Sequence, residues 1–322
     1  MKILFVTNGY PTSKHPEYCV FTKEQIESVS LYNDIQSDIY FINARENGKL
    51  EYIRAIPRLF RLIREHDIIH AFHGLSFILV FLLGPRRKIV VSFLNSIDNE
   101  YGESVILSKT LIWITNILVK KKNITKIFKD QVPQHITSNC YHLPNGVDLS
   151  KFYPIPKSEA KKRLGLIESK RYILFVSSKY SNRKQKRYDR FSNIIKRLKQ
   201  EFNDVEELLL VNEPRNRINY YFNSAELHLL TSDFEGSPNS VKEALACNTP
   251  VISTPVGNVK SMLKDVPSCR VSSSFEANEL YNLTRSFLLK SSKKVEIRNY
   301  LTLKNLDMQS KAKELYEIYK SL

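Results

Sequence analysis

The residues best equipped for chemistry lie where a strand runs into a helix: Thr231-Ser232-Asp233-Phe234-Glu235-Gly236-Ser237-Pro238-Asn239-Ser240-Val241-Lys242-Glu243-Ala244-Leu245-Ala246-Cys247. Ser237 is read as the N-cap and Pro238 as the first helical residue, the positions these residue types favour. The free amides of such a helix start can hold an anion. A capping-box acid would stand three residues after the cap, but Ser240 is there, and Glu243 lies nearly two turns into the helix. Capping therefore leaves Glu243 unexplained. A second reactive stretch, Ser177 to Asp189, gathers Lys179, Arg183, Lys184, Lys186 and Arg187 just after the strand Tyr172 to Val176.

Other chemistries find no pattern. Cys19, Cys140, Cys247 and Cys269 are dispersed, with no Cys-x-x-Cys pair and no Cys/His cluster at metal spacing. There is no Asp-x-Asp between strands and no Gly-x-x-x-x-Gly-Lys-Ser/Thr loop, which argues against kinases and ATPases. His70 and His73 lack the Ser and Asp context of a nucleophile triad.

The elements that must carry these residues alternate along the chain. Strands at Ile3 to Thr7, Ile39 to Ile42, Ile68 to His70, Ile89 to Phe93 and Ile124 to Phe128 are separated by helical stretches at Phe21 to Leu31, Tyr52 to Glu65 and Ser104 to Val119. A turn at Leu143-Pro144-Asn145-Gly146-Val147-Asp148 precedes a linker. A second series follows: strand Tyr172 to Val176, helix Tyr188 to Glu201, strands Glu207 to Val211 and Leu227 to Thr231, and helix Pro238 to Cys247. This rhythm predicts two α/β domains with parallel sheets. The tail from Gln309 reads as an amphipathic helix with Ala312, Leu315, Ile318 and Tyr319 inward.

With Glu235 and Glu243 separated by seven residues, and with Asn248-Thr249-Pro250-Val251-Ile252-Ser253-Thr254-Pro255-Val256-Gly257 following, the chain resembles the family-four retaining glycosyltransferases. The resemblance implies the GT-B fold, an α/β architecture of two Rossmann-like domains facing each other across a cleft. Residues 1–150 would form the acceptor-binding domain, with a helix at about 306–322 packing back on it, and residues 151–305 the nucleotide-sugar domain. By the same resemblance Glu243 accepts hydrogen bonds from the donor ribose and Glu235 contacts the transferred sugar. A carboxylate suits both roles because it only accepts. The backbone of Gly236, Ser237, Pro238, Asn239 and Ser240 would approach sugar and pyrophosphate. Lys186 matches the family lysine that stabilises the leaving diphosphate, and either Arg183 or Lys179 its arginine, a task preorganised cations can perform without a metal.

In the first half, Asn8-Gly9-Tyr10-Pro11 resembles the family's phosphate-approach loop through Gly9, although Tyr18 and Cys19 replace the small residues expected. His73 is a candidate for the cleft lining, delivered to the carboxyl end of a strand where open α/β sheets bind ligands. Relatives carry Gly or His with an Asp where Leu94, Asn95, Ser96 and Ile97 stand here, so Asn95 or Asp98 would have to substitute. This departure keeps open a glycosyltransferase-like subunit without catalysis. A nucleotide-sugar epimerase shares the architecture but needs no acceptor.

The chain's 322 residues, 42% hydrophobic and 25% charged, suffice for two such domains. A formal charge of +16 favours anionic partners, but the absence of nucleic-acid-binding motifs and the dispersal of the cations speak against RNA or DNA. The expected partners are a nucleotide sugar and a glycan or lipid-linked acceptor, with no cofactor beyond the donor. Arg54, Arg58, Arg61 and Arg64 recur three to four apart beside Leu59, Phe60, Leu62 and Ile63, a pattern that can rest on an anionic bilayer or simply face water. Lys120-Lys121-Lys122 is the alternative basic anchor. The apolar run Leu75 to Leu83 is too short to span a membrane. The cysteine usage and the lack of a signal-peptide pattern lead us to expect a cytoplasmic enzyme, at the inner face of the cell membrane if the basic helix binds lipid.

Overall fold

A computed structural model describes residues 1–94, 97, 105–177, 184–290 and 296–322, with residues 105–107 described by backbone alone. The chain forms two units, Met1–Asn145 together with Lys311–Leu322, and Gly146–Ser310. In the first, the order is β1 (Lys2–Thr7), α1 (Val20–Val29), β2 (Gln36–Phe41), α2 (Ala44–Asn47), α3 (Glu51–Arg54), α4 (Ile56–Glu65), β3 (Ile68–Phe72), α5 (Gly74–Leu83), β4 (Lys88–Phe93), α6 (Val105–Leu118), β5 (Ile124–Phe128) and β6 (Cys140–His142). Its sheet is parallel throughout, in the order β2-β1-β3-β4-β5-β6.

Both faces of this sheet are covered, so β1 is apolar at successive positions rather than alternating with polar residues. Ile3 and Phe5 point to α1, where Ile26 and Val29 meet them. Leu4 and Val6 point to the opposite face, against Leu59 and Ile63 of α4 and Phe77 and Val80 of α5. The helix predicted over 52–65 is divided at Ala55, and Pro57 falls in the first turn of α4, where its missing N–H breaks no intrahelical bond.

The second unit continues with α7 (Lys157–Leu164), β7 (Arg171–Ser177), a 3-10 turn at Lys184–Lys186, α8 (Tyr188–Glu201), β8 (Val205–Val211), α9 (Arg215–Ser224), β9 (Ala225–Leu230), α10 (Asn239–Ala246), β10 (Val251–Ser253), α11 (Val259–Leu263), β11 (Arg270–Val271), α12 (Ala277–Leu289) and α13 (Asn299–Leu303). The strand order is β11-β10-β9-β7-β8, again parallel. Ile173 and Phe175 of β7 face Phe191, Ile194 and Leu198 of α8. Leu174 faces the side that holds Val241 and Leu245 of α10. Because β7 and β9 are neighbours, the segments leaving their carboxyl ends are brought side by side. These are the two stretches singled out by chemistry.

The final helix, α14 (Met308–Lys320), starts where Val147 pairs with Asp307, an approach Gly146 permits because a Cβ there would lie 2.5 Å from the Met308 backbone. Leu315, Ile318 and Tyr319 then join Ile3, Phe5 and Ile26 in one core. The Tyr319 hydroxyl lies 2.5 Å from Nδ1 of His70, whose Nε2 is 2.8 Å from Ser92 Oγ. His70 is thus a buried, doubly bonded strut between β3, β4 and α14. Among the described residues no helix is long and apolar enough to cross a membrane.

Candidate functional site

The loop between β9 and α10 is held by polar side chains, of which Thr231 and Ser232 are buried. Ser232 Oγ donates to Glu235 Oε1 at 2.7 Å, and the Ser232 carbonyl accepts from Thr254 Oγ1 at 2.7 Å. The helix begins one residue later than predicted. Pro238 is the N-cap in extended backbone, without a side-chain cap, and Asn239 opens the helix. Ser237 does not cap because its hydroxyl instead accepts from Lys242 Nζ at 3.1 Å. Glu243 is consequently the fifth residue of α10.

Gly236 is held from below. Its carbonyl accepts from Asn258 N–H at 3.1 Å, across a gap that exists because Gly257 has no side chain. A Cβ on Gly257 would lie 2.0 Å from that oxygen, and its φ of +50° is the left-handed region glycine tolerates.

Lys186, at the end of the 3-10 turn after β7, meets this loop directly: its Nζ is 2.5 Å from Glu235 Oε1, and both side chains are largely buried. The turn is clasped to the strand beside it. Thr231 Oγ1 donates to the Lys186 carbonyl at 2.9 Å, Asp233 N–H donates to the Gln185 carbonyl at 2.8 Å, and Asp233 pairs with Arg187 and Arg190 at 3.1 and 2.9 Å. Arg190 is buried and also donates to the Thr231 carbonyl at 2.6 Å.

Glu243 is buried except for its carboxylate edge, and its Oε1 accepts from Arg215 at 2.8 Å. One turn earlier, Ser240 Oγ lies 3.0 Å from Nε2 of His228, whose Nδ1 is 3.1 Å from the Leu174 carbonyl. Burial pushes the His228 imidazole down to about 4, with the Leu174 carbonyl opposing the shift and the positive charge of Lys186 adding to it. The ring is neutral and structural, fixing α10 to β7. Ser177 Oγ, at the end of β7, and Asn239 Oδ1 are buried without a partner among the described residues. A ligand bond to either would offset its desolvation.

The remaining sequence candidates are placed as follows. Gly9 sits where a Cβ would meet Cys19 Sγ at 2.6 Å, so the residue that departs from the expected small type fills the space the glycine leaves. His73 is the N-cap of α5: its Nδ1 accepts from Leu75 N–H at 3.3 Å, at a φ of 76°. Lys179, Arg183, Asn95 and Asp98 lie outside the described residues. Two features escaped sequence reading. Arg215 lies 28 residues from Glu243 with no spacing signal, and Asp233 reads locally as one more loop acid. Among the described residues no group of three or more His, Cys, Asp or Glu side chains is placed to hold a metal ion.

Comparison with known proteins agrees with this geometry. Residues 196–282 match the family model described as glycosyl transferases group 1, a span that includes Glu235, Glu243 and Gly257. No curated protein sequence matches the chain. Solved structures similar over the whole chain include HepE from Anabaena in complex with UDP, at 16% identity and a TM-score of 0.75, with all of both chains covered. Sucrose-phosphate synthase from Thermosynechococcus elongatus is 15% identical with a TM-score of 0.73, covering 100% of this chain and 99% of the other. WaaG, a glycosyltransferase involved in lipopolysaccharide biosynthesis, is 14% identical with a TM-score of 0.69, covering 98% and 99%. The fold is therefore the GT-B architecture of two Rossmann-like domains. The match over residues 196–282 is to the same kind of protein that the Glu-x7-Glu segment resembles.

Proposed function

We propose that the protein is a retaining glycosyltransferase that moves a sugar from a nucleoside diphosphate to an acceptor hydroxyl, the acceptor being a lipid-linked glycan of a cell-surface polysaccharide. The observation that carries this reading is the direct pairing of Lys186 with Glu235 beside the start of α10. That pair presents a cation and an acceptor-only carboxylate at the carboxyl ends of two adjacent strands, where parallel sheets receive ligands. HepE was solved with UDP and with UDP-glucose, and a uridine diphosphate sugar is the donor to test first.

On donor binding, Lys186 turns from Glu235 to the diphosphate, and Glu235 accepts hydrogen bonds from the sugar hydroxyls it then faces. Glu243 accepts from the ribose. The bond between the anomeric carbon and the diphosphate oxygen breaks while the acceptor oxygen bonds to the same carbon from the same face. The acceptor proton passes to the departing phosphate oxygen, and the products are the glycosylated acceptor and the nucleoside diphosphate. Lys186 stabilises the charge on that leaving group as it develops, with Arg183 or Lys179 as its partner and no metal in the reaction.

The lipid-linked acceptor is supported by the outer surface of α3 and α4. Leu59 and Ile63 point to the core, leaving Ile53, Ile56 and Phe60 exposed beside the exposed Arg54, Arg58, Arg61 and Arg64. Each arginine near an anionic leaflet contributes about 1 kcal/mol. Co-sedimentation with vesicles of phosphatidylglycerol, absent with phosphatidylcholine and lost in an Arg58→Glu/Arg61→Glu variant, is the expected result.

The decisive experiment is calorimetric titration with UDP, GDP, ADP and their sugars in EDTA, followed by product analysis with and without acceptor. Binding of one nucleotide series that Glu243→Ala abolishes, and sugar transfer that requires acceptor, are expected. Binding without turnover would reduce the protein to a non-catalytic subunit, and sugar conversion without acceptor would make it an epimerase.

A further inference from the structure

Glu243 does not stand alone in its helix. Its Oε1 is taken by Nη1 of Arg215, the first residue of α9, at 2.8 Å. The Arg215 guanidinium is itself held over the ring of Phe152, 4.9 Å from its centroid, and Phe152 is buried. No other hydrogen bond to the Glu243 carboxylate occurs among the described residues. Oε2 is thereby the oxygen left to accept from a ligand, on a carboxylate whose rotation is stopped from the other side.

We propose that Arg215 is a positioning residue for donor recognition, which locks Glu243 with Oε2 aimed at the ribose hydroxyls. The proposal rests on the reading of Glu243 as the ribose acceptor. A carboxylate on a mostly buried helix face, deprived of its cation, turns toward whatever water or donor reaches it. The contact with the sugar edge then loses its direction while the fold persists, since the Arg215 side chain is partly exposed and the cluster behind α9 is built from Tyr221 and Phe222. The role is specific for the ribose. Arg215 sharpens discrimination between a nucleotide that has its 2′-hydroxyl and one that lacks it.

The test measures dissociation constants of UDP, GDP and ADP, each beside its 2′-deoxy form, for the wild type and for Arg215→Met, Arg215→Lys and Glu243→Gln. A site built to bond a hydroxyl rejects the analogue lacking it, and a ratio of about tenfold or more is expected for the nucleotide that binds. Arg215→Met is expected to reduce the ratio to about twofold with an unchanged melting temperature, and Arg215→Lys to restore part of it. A wild-type ratio in Arg215→Met, with the ratio lost in Glu243→Gln, overturns the proposal alone. A ratio kept in Glu243→Gln, or absent from the wild type, overturns the ribose reading of Glu243 and the proposal with it.

Discussion

At the residue scale the site is a set of opposite charges held together in advance. Lys186 and Glu235 are each largely withdrawn from water, and each is the other's nearest compensation. Removing one leaves the other as an unpaired, partly desolvated charge, so the two alanine variants should fail differently. Lys186→Ala removes the cation proposed to meet the leaving group, and a fall in kcat of about 10²- to 10³-fold is expected, the effect of one preorganised stabilising group. Glu235→Ala should instead raise KM for the donor sugar while the bare nucleoside diphosphate still binds. Equal losses in both parameters for both variants would contradict the division of roles. Asp233→Asn tests the support: without its charge Arg187 and Arg190 lose their common anchor, and kcat should drop by about tenfold with nucleotide affinity kept, about 1.4 kcal/mol in the transition state. Glu235, Glu243 and Lys186 were singled out in the sequence by the family resemblance of one strand-to-helix turn and one basic loop, and the structure brings Lys186 onto Glu235. Arg215 was not, because its partner is brought to it only when α9 and α10 pack.

At the element scale the legible parts are those whose burial follows a local period. The inner strands of both sheets, α8 and α14 were readable in this way, the last down to its four inward residues, whereas the short edge strands β6 and β11 were not. Helices α7 and α9 give little periodic signal, since Lys-Ser-Glu-Ala-Lys-Lys-Arg-Leu and Arg-Asn-Arg-Ile-Asn-Tyr-Tyr are polar runs that hold their places by packing on each other. The exact start of α10 was equally hidden, because it depends on Lys242 reaching back to Ser237 rather than on a propensity. Two substitutions probe how elements hold the site. Gly257→Ala forces a Cβ against the carbonyl of Gly236 and a side chain into a left-handed backbone. A loss of about 1 to 3 kcal/mol is expected for such overpacking, and nucleotide binding should weaken more than the melting temperature predicts, because the strain falls on the Glu235–Gly236 loop itself. Leu315→Ala empties a fully buried position under α14, with an expected cost of about 2 to 5 kcal/mol in denaturant unfolding of the first unit. Nucleotide affinity, which the proposed function assigns to the other unit, should be retained.

At the scale of the whole molecule, each unit carries a buried histidine in its sheet, and both contribute to how the protein responds to acid. Burial, with the charge of Lys129 adding to it, holds His70 well below the usual imidazole range, and burial brings His228 down to about 4. Both rings are neutral in the folded chain at pH values where the unfolded chain, with a histidine pKa near 6.5, has begun to bind protons. Protons therefore favour the unfolded state, so stability is full above about pH 6.5 and declines as the pH falls below it. Each ring contributes a slope of about 1.4 kcal/mol per pH unit, which for His228 levels off near its folded value of about 4. Because the two units need not unfold together, the change is best read locally, by hydrogen exchange of the β3 and β9 amides between pH 7.5 and 5. His228→Gln, which keeps a polar group near Leu174 and Ser240 but cannot titrate, should flatten the pH dependence of β9 while leaving that of β3 intact, and His70→Gln should do the reverse. Protection of either strand that is independent of pH in the wild type would show that its ring is not held neutral by the fold.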